Sequence, residues 1–368
     1  MEKAKVYFTD LSTHCETSLP DKLVRLMKKA GFETIDFENK FVAVKLHFGE
    51  PGNLAYLRPN YARAVCDYIK RLGGRPFVTD CNTLYVGGRK NALDHLDSAY
   101  QNGYNPFCTG VHTIIADGIK GTDETLVPVK GGEYVKEAKI GRALMDADIV
   151  ISLNHFKGHE ATGFGGALKN LGMGGGSRAG KMEMHSAGKP HVNQSLCIGC
   201  GKCVNICAHD APHITNKKSF IDQNRCVGCG RCIGVCPVDA VEPASDEAND
   251  ILNCKIAEYA KAVVQDRPSF HISLVIDVSP YCDCHPENDK AIVPDVGFFA
   301  SFDPIALDRA CADAVNAQPE IAGSELARSS HVHGDHFTDI FPETDWHSQL
   351  THGEKLGLGT QEYELIKV

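Results

Sequence analysis

The sequence predicts an α/β fold, a mostly parallel sheet with flanking helices, interrupted by a small cysteine-rich insertion. Three observations predict it. Strand-like apolar runs alternate with helical stretches on both sides of residues 191–244, polar residues gather where the strand runs end, and eight of the sixteen cysteines fall between Cys197 and Cys236. Alternation of this kind is what a parallel sheet requires, because each return to a parallel neighbour needs a crossover, usually a helix.

The opening run KVYFT alternates like a strand. FVAVKLHF (41–48) reads as a buried strand, YARAVCDYIKRLG (61–73) as an amphipathic helix closed by Gly73, and PFVTDCN (76–82) as the next strand. VHTIIADG (111–118) continues the sheet, KEAKIGRALMDA (136–147) reads as helical, and DIVISLNHF (148–156) as a strand. Beyond the insertion, 251–264 reads as a helix, 270–279 and 296–301 as strands, and 303–315 as a helix. The tail EKLGLGTQEYELIKV reads as a short helix, a turn and a packing strand. The chain thus divides into a first α/β part (1–190), the insertion (191–244) and a second α/β part (245–368) that completes the main domain.

A hydrophobic fraction of 43% and a charged fraction of 23% are ordinary for a globular chain. A formal net charge of -9 argues against a nucleic-acid surface. No stretch approaches the ~20 apolar residues that cross a bilayer, and the start lacks the apolar region of a signal peptide. The expectation is a cytoplasmic protein with no nucleic-acid or membrane partner. So many thiols in a reducing compartment point to metal ligation or redox chemistry.

From Cys197 the chain reads CIGCGKCVNICA, and from Cys226 it reads CVGCGRCIGVCP. Each is C-x2-C-x2-C-x3-C, the run of bacterial two-cluster ferredoxins, whose fourth cysteine ligates the other cluster. The spacing assigns Cys197, Cys200, Cys203 and Cys236 to one 4Fe-4S cluster, and Cys226, Cys229, Cys232 and Cys207 to a second. Gly199, Gly201, Gly228 and Gly230 let backbone N–H groups approach the sulfurs. Pro237 follows the last cysteine as the pattern expects, whereas Ala208 stands where the first half would carry proline. A zinc site would show pairs separated by a long spacer. The insertion therefore reads as an α+β bacterial ferredoxin-like unit that depends on its clusters to stay folded.

Outside the insertion, His47 and Glu50 follow one strand, Asp80 and Asn82 another, Asn154, His155, Lys157 and His159 a third, and Asp277 and Ser279 a fourth. Ligands bind beyond the carboxyl ends of parallel strands. His47, His155, Lys157 and His159 are the candidate catalytic residues; helix caps and turns are the alternative for any one of them. Residues 163–181, GFGGALKNLGMGGGSRAGK, hold eight glycines. Met182 stands where a phosphate loop needs Ser or Thr, which excludes a nucleoside triphosphatase, and no flavin or nicotinamide fingerprint is present. Asn82, Gly163, Gly165, Gly166 and Lys169 are candidates for holding a small molecule or anion at a helix N-terminus; a close backbone crossing is the bland alternative. Cys282, Cys284 and His285 sit together in YCDCHPEND as possible ligands or redox thiols. Cys15, Cys66, Cys81, Cys108, Cys254 and Cys311 read as small core residues, and HVHGDHF (331–337) as a solvated loop.

The stretches KLHFGEPGN, DCNTLYVGGR, IADGIKGTDE, NHFKGHEATGFGGALKNLGMG, CDCHPENDKAIVPDVGFFASFDPIALDRA and EKLGLGTQEYELI resemble domain of unknown function family 362, in its form carrying an internal two-cluster ferredoxin unit. The resemblance implies an iron–sulfur protein of mainly anaerobic microbes and no particular reaction. A more distant likeness to the nickel-pincer lactate racemase fold brings no residue match. The leading expectation is a cytoplasmic oxidoreductase in which two 4Fe-4S clusters relay electrons to a small molecule, cofactor or further metal at the strand ends. An electron carrier or adaptor docking a redox partner protein, and a metal or cluster maturation factor using Cys282 and Cys284, are the alternatives.

Overall fold

A computed structural model describes residues 3–85, 87–185, 189–207, 209–226, 228, 230–243, 249–330 and 333–368. Eight strands form the central sheet: β1 (Ala4–Thr9), β2 (Phe41–Lys45), β3 (Arg75–Asp80), β4 (Thr113–Ile115), β5 (Ile149–His155), β6 (Ser269–Val275), β7 (Gly297–Ser301) and β8 (Tyr363–Lys367). Their order across the sheet is β8-β1-β7-β6-β5-β2-β3-β4. Five of the seven pairings are parallel; the two antiparallel ones both involve β7, which runs against β1 and β6.

Why the strands read as continuous apolar runs is clear from where their side chains go. Val42 and Val44 enter one core while Ala43 enters the other; Ile149, Ile151 and Leu153 oppose Val150; Phe298 and Ala300 oppose Phe299. Successive side chains of a strand point to opposite faces, so a sheet covered on both sides has no polar face to spare. Helices Leu19–Lys29 and Pro59–Arg71 cover one face. Helices Ala167–Gly175, Asn249–Val264, Pro304–Asn316 and Trp346–Lys355 cover the other.

The insertion is tied at its neck. Pro190–Val192 pairs antiparallel with Val241–Pro243, Pro190 opposite Pro243, so the segment leaves and re-enters the host domain at one place. Between them lie short helices Lys202–Ile206 and Arg231–Gly234 and a hairpin of Pro212–Thr215 with Lys218–Ile221. Its small core includes Val192, Ile233 and Val241 and reaches Leu84 and Met182 of the host. Residues 244–248, at its expected end, lie outside the described residues, as do Cys229 and Ala208.

Three expectations need correction. Residues 136–147 are not one helix: Glu137–Gly141 is a strand paired antiparallel with Glu124–Pro128, and only Arg142–Met145 is helical. Ala138 and Ile140 alternate into the core, a period-two pattern that the helix-forming residues around them obscure. Within 331–337, His331 and Val332 lie outside the described residues, but Phe337 is fully buried and Asp335 both caps helix His336–Ile340 and accepts from Trp346 Nε1 at 2.7 Å. That segment packs rather than floats. Cys66, Cys81 and Cys311 are buried as expected, Cys254 is half-buried, and Cys15 and Cys108 are exposed.

Candidate functional site

A cavity of ≈ 480 Å³ opens beyond the carboxyl ends of β2, β3 and β5 and is roofed by the loop carrying Cys282 and Cys284. Its floor is an ion pair. Lys45 Nζ, at the end of β2, lies 2.9 Å from Asp80 Oδ1 at the end of β3 and donates to Asn170 Oδ1 at 2.8 Å. Burial pulls the Lys45 ammonium below its usual range. Burial would raise Asp80, but Lys45, His47 and His95 outweigh it and hold the carboxyl well below the usual carboxylate range.

His47 lines the cavity with Nδ1 3.0 Å from the Gly49 N–H and Nε2 2.9 Å from the Arg89 guanidinium; a neutral ring accepts from one of these and carries its proton on the other nitrogen. Burial first, and then Arg89, push the imidazole well below its ordinary value, so it stays neutral. Arg89 is anchored by Glu50, Nε to Oε2 at 2.6 Å, and Glu50 also accepts from Gly88 N–H.

The other candidates divide by environment. His155 has both ring nitrogens engaged, Nδ1 with Asp283 Oδ1 at 2.8 Å and Nε2 with the Ile276 carbonyl at 2.9 Å. Lys157 Nζ lies 3.3 Å from Asp283 Oδ2. Burial would raise Asp283, but His155 and Lys157 hold it well below the usual range. His159 faces the cavity, and burial followed by Lys169 lowers it to about 4. Lys169 donates to Cys282 Sγ at 3.4 Å. The donor atoms of His159, Cys282 and Cys284 lie within 4.8 Å of one another, close enough for a metal or a thiol pair. His285 bonds Glu160 Oε1 at 2.9 Å on the rim.

The glycine stretch is largely spent on packing. The free N–H groups opening helix Ala167–Gly175 point at the chain's own Asp308, Ala167 N at 2.7 Å and Leu168 N at 2.9 Å. A Cβ on Gly166 would stand 2.3 Å from Asp308 Oδ1, and one on Gly172 would stand 2.1 Å from the Ile256 carbonyl, where two helices cross. Gly163 has φ +76° and abuts Trp346. Gly165, Gly166 and Lys169 line the cavity; Gly163 and Asn82 do not. Asn82 is fully buried and donates from its backbone and side chain to Asp117 at 2.9 and 2.8 Å.

In the insertion, one small cavity gathers Cys197, Cys200, Cys203 and Cys236, and a second gathers Cys207, Cys226 and Cys232. Cys229, the eighth of the set, lies outside the described residues. Backbone N–H groups point at sulfurs: Ser219 to Cys197 at 3.3 Å, Ala240 to Cys236 at 3.2 Å and Gly228 to Cys226 at 3.5 Å. Gly199, Gly201, Gly228 and Gly230 all adopt positive φ, from +65° to +75°. The insertion's small core reaches the large cavity through Leu84, which belongs to that core and lines the cavity.

Sequence reasoning passed over Lys45, Arg89 and Asp283. A lysine ending a buried strand was the available signal for Lys45. Asp283 hid between the two cysteines, and Arg89 in a glycine loop gave none.

Residues 42–313 match the family described as Domain of unknown function (DUF362). The chain belongs to that family. This DUF362 chain is 27% identical over 127 residues to the thylakoid-associated protein sll1697 of Synechocystis sp., covering 33% of this chain and 34% of that protein. It thus spans about a third of that curated relative's length. Among solved structures it is similar to the lactate racemase apoprotein of Thermoanaerobacterium thermosaccharolyticum, with TM-score 0.38 and 11% identity over 74% of this chain and 51% of that one. A Thermotoga maritima protein gives TM-score 0.39 and 14% identity over 81% and 57% of the two chains. No helix among the described residues is long and apolar enough to cross a membrane.

Proposed function

We propose that this DUF362 chain is an iron–sulfur oxidoreductase: the insertion is a bacterial ferredoxin-like unit holding two 4Fe-4S clusters, and the large cavity binds the small molecule that receives or gives the electrons. The observation that carries this reading is the grouping of thiols. Four sulfurs line one small cavity and three described ones line the other, in the sets the motif spacing assigns. Thiolates with inward N–H donors from Ser219, Gly228 and Ala240 fit a cubane chemically. Cys197, Cys200, Cys203 and Cys236 would hold one cluster; Cys207, Cys226, Cys229 and Cys232 would hold the other. Bound there, the clusters supply one-electron transfer.

The remaining work falls to the chain's own residues. Leu84, packed in the insertion's small core and lining the cavity, joins the two regions through packed atoms. His47 and His159 are neutral, cavity-facing imidazoles suited to orienting a substrate or moving a proton. His155 and Lys157, locked on Asp283, act as positioning residues for the loop that carries Cys282 and Cys284. The test is anaerobic purification with iron and sulfide analysis, electron paramagnetic resonance of the reduced protein, and a search for metabolites that reoxidise it. About eight irons with substrate-dependent reoxidation support the reading; zinc in their place sinks it.

A second reading, an electron carrier or adaptor, is favoured by the exposed Leu196 and Ile198 beside the first quartet, apolar side chains a redox partner could cover. It requires rapid electron exchange with a partner protein and no ligand in the cavity. Nothing in the geometry favours the maturation-factor alternative over these two.

A further inference from the structure

Cys282 and Cys284 stand two residues apart on the cavity wall, and the electron-relay reading gives them no task. Their closeness to His159 suits either one metal ion or a thiol pair, and the imidazole decides between them. A metal-bound histidine offers a lone pair from one nitrogen and ordinarily donates its other N–H to a carboxylate or carbonyl. His159 does the reverse. Its Nδ1 accepts the backbone N–H groups of Ala161 at 3.0 Å and Thr162 at 3.2 Å. The neutral ring's proton therefore sits on Nε2. One nitrogen has its lone pair occupied, and the other has none to give. The trio presents two sulfurs and an N–H donor, not a ligand set.

We propose that Cys282 and Cys284 are a redox-active dithiol that reduces a small organic disulfide held in the cavity. Cys284 is half-buried and Cys282 only 2% exposed, so Cys284 meets the substrate first. The two sulfurs lie close together, and the neighbouring thiol lowers Cys284 to about 7 and, with burial, keeps Cys282 up at about 12. The pair thus starts as one thiol and one thiolate. In the first step the Cys284 thiolate bonds to one substrate sulfur, the S–S bond breaks, and the other sulfur leaves as a thiolate. That leaving group takes the Cys282 proton. In the second step Cys282 Sγ bonds to Cys284 Sγ, and the second substrate sulfur leaves as a thiolate. Two electrons have passed from the protein sulfurs to the substrate, giving one protein disulfide, one free thiol and one free thiolate. Lys169, 3.4 Å from Cys282 Sγ, steadies the anionic sulfurs, with the His159 ring close by. Reopening the disulfide to one thiol and one thiolate takes one proton and two electrons, the number of electrons that two one-electron centres deliver together; this return half rests on the electron-relay reading.

The test uses full-length protein purified anaerobically, with iron, sulfide and zinc measured on the same sample. It is mixed with oxidised glutathione, the released thiol is followed, and peptides are mapped by mass after alkylation. The expected result is a peptide in which Cys282 and Cys284 are cross-linked and resist alkylation. Cys282→Ser should stop at a glutathione adduct on Cys284. Cys284→Ser should slow exchange by roughly 100-fold, because loss of thiolate outweighs the greater nucleophilicity of the more basic sulfur. Both thiols remaining alkylatable, unchanged exchange in Cys284→Ser, or an equimolar zinc ion that Cys284→Ser removes would each overturn the proposal. Closure of the pair in a chain without iron keeps the dithiol and sinks the relay; iron-loaded protein with an inert pair does the opposite.

Discussion

Replacing Asp308 with alanine tests whether the chain caps its own glycine-rich helix, and the expected cost depends on pH. Asp308 is fully buried and takes two N–H groups, Ala167 at 2.7 Å and Leu168 at 2.9 Å. Alanine leaves both donors unpaired in the interior, at about 1–3 kcal/mol each, or about 2–6 kcal/mol together. Burial raises the carboxyl from its ordinary 3.8 to about 7. Between those values the folded protein holds a proton that the unfolded chain has released, so this group's contribution to stability falls as pH rises from about 4 to about 7. The fall corresponds to about 4 kcal/mol in the wild type and is absent from the variant. Asp308→Ala should therefore lose about 2–6 kcal/mol at pH 4 and far less, close to nothing, at pH 8. Urea unfolding followed through Trp346, the chain's one tryptophan and 1% exposed, reads this directly. A penalty that is flat with pH, or larger at pH 8, refutes the capping argument.

Three further expectations follow from the same geometry. Arg89→Met strands the buried Glu50 carboxylate, costing about 3–5 kcal/mol; by removing the cation beside His47 it also raises that imidazole's pKa toward normal, which proton NMR titration would check. Gly163→Ala forces a left-handed alanine, at about 1–2 kcal/mol, and drives a methyl to 2.8 Å from Trp346 Cβ, so near-ultraviolet circular dichroism should change. Cys200→Ser should lower bound iron from about eight to about four per chain, and an unchanged iron count would remove Cys200 from the ligand set.

How much the sequence made legible depends on whether a residue's task was local. The strands ending at Lys45, Asp80 and His155 were readable because burial on both faces leaves apolar runs with polar ends. The grouping of the seven described cysteines follows short spacings, which is why a local pattern can carry it. The antiparallel direction of β7 was not, since strand direction depends on which edges are left to pair, and no local pattern encodes it. Residues 137–141 misled because a strand of five residues alternates too briefly to outweigh good helix formers on either side. Asp308 lies 141 positions from the amide it caps, so a glycine loop that looks ready for an external anion already holds an internal carboxyl group. His155 drew notice for its type, yet Asp283, 128 residues on, is what occupies it.

On the proposed electron-relay reading, the paired neck of the insertion gives the molecule something like an electrical fuse. Because Pro190 and Pro243 sit opposite each other on a closed ribbon, oxidative loss of iron could unravel the segment beyond without pulling any strand from the host sheet. The chain would then fail by disconnection rather than by collapse, keeping its large cavity while losing its supply of current. Repair would need only new metal and sulfide, not a fresh polypeptide.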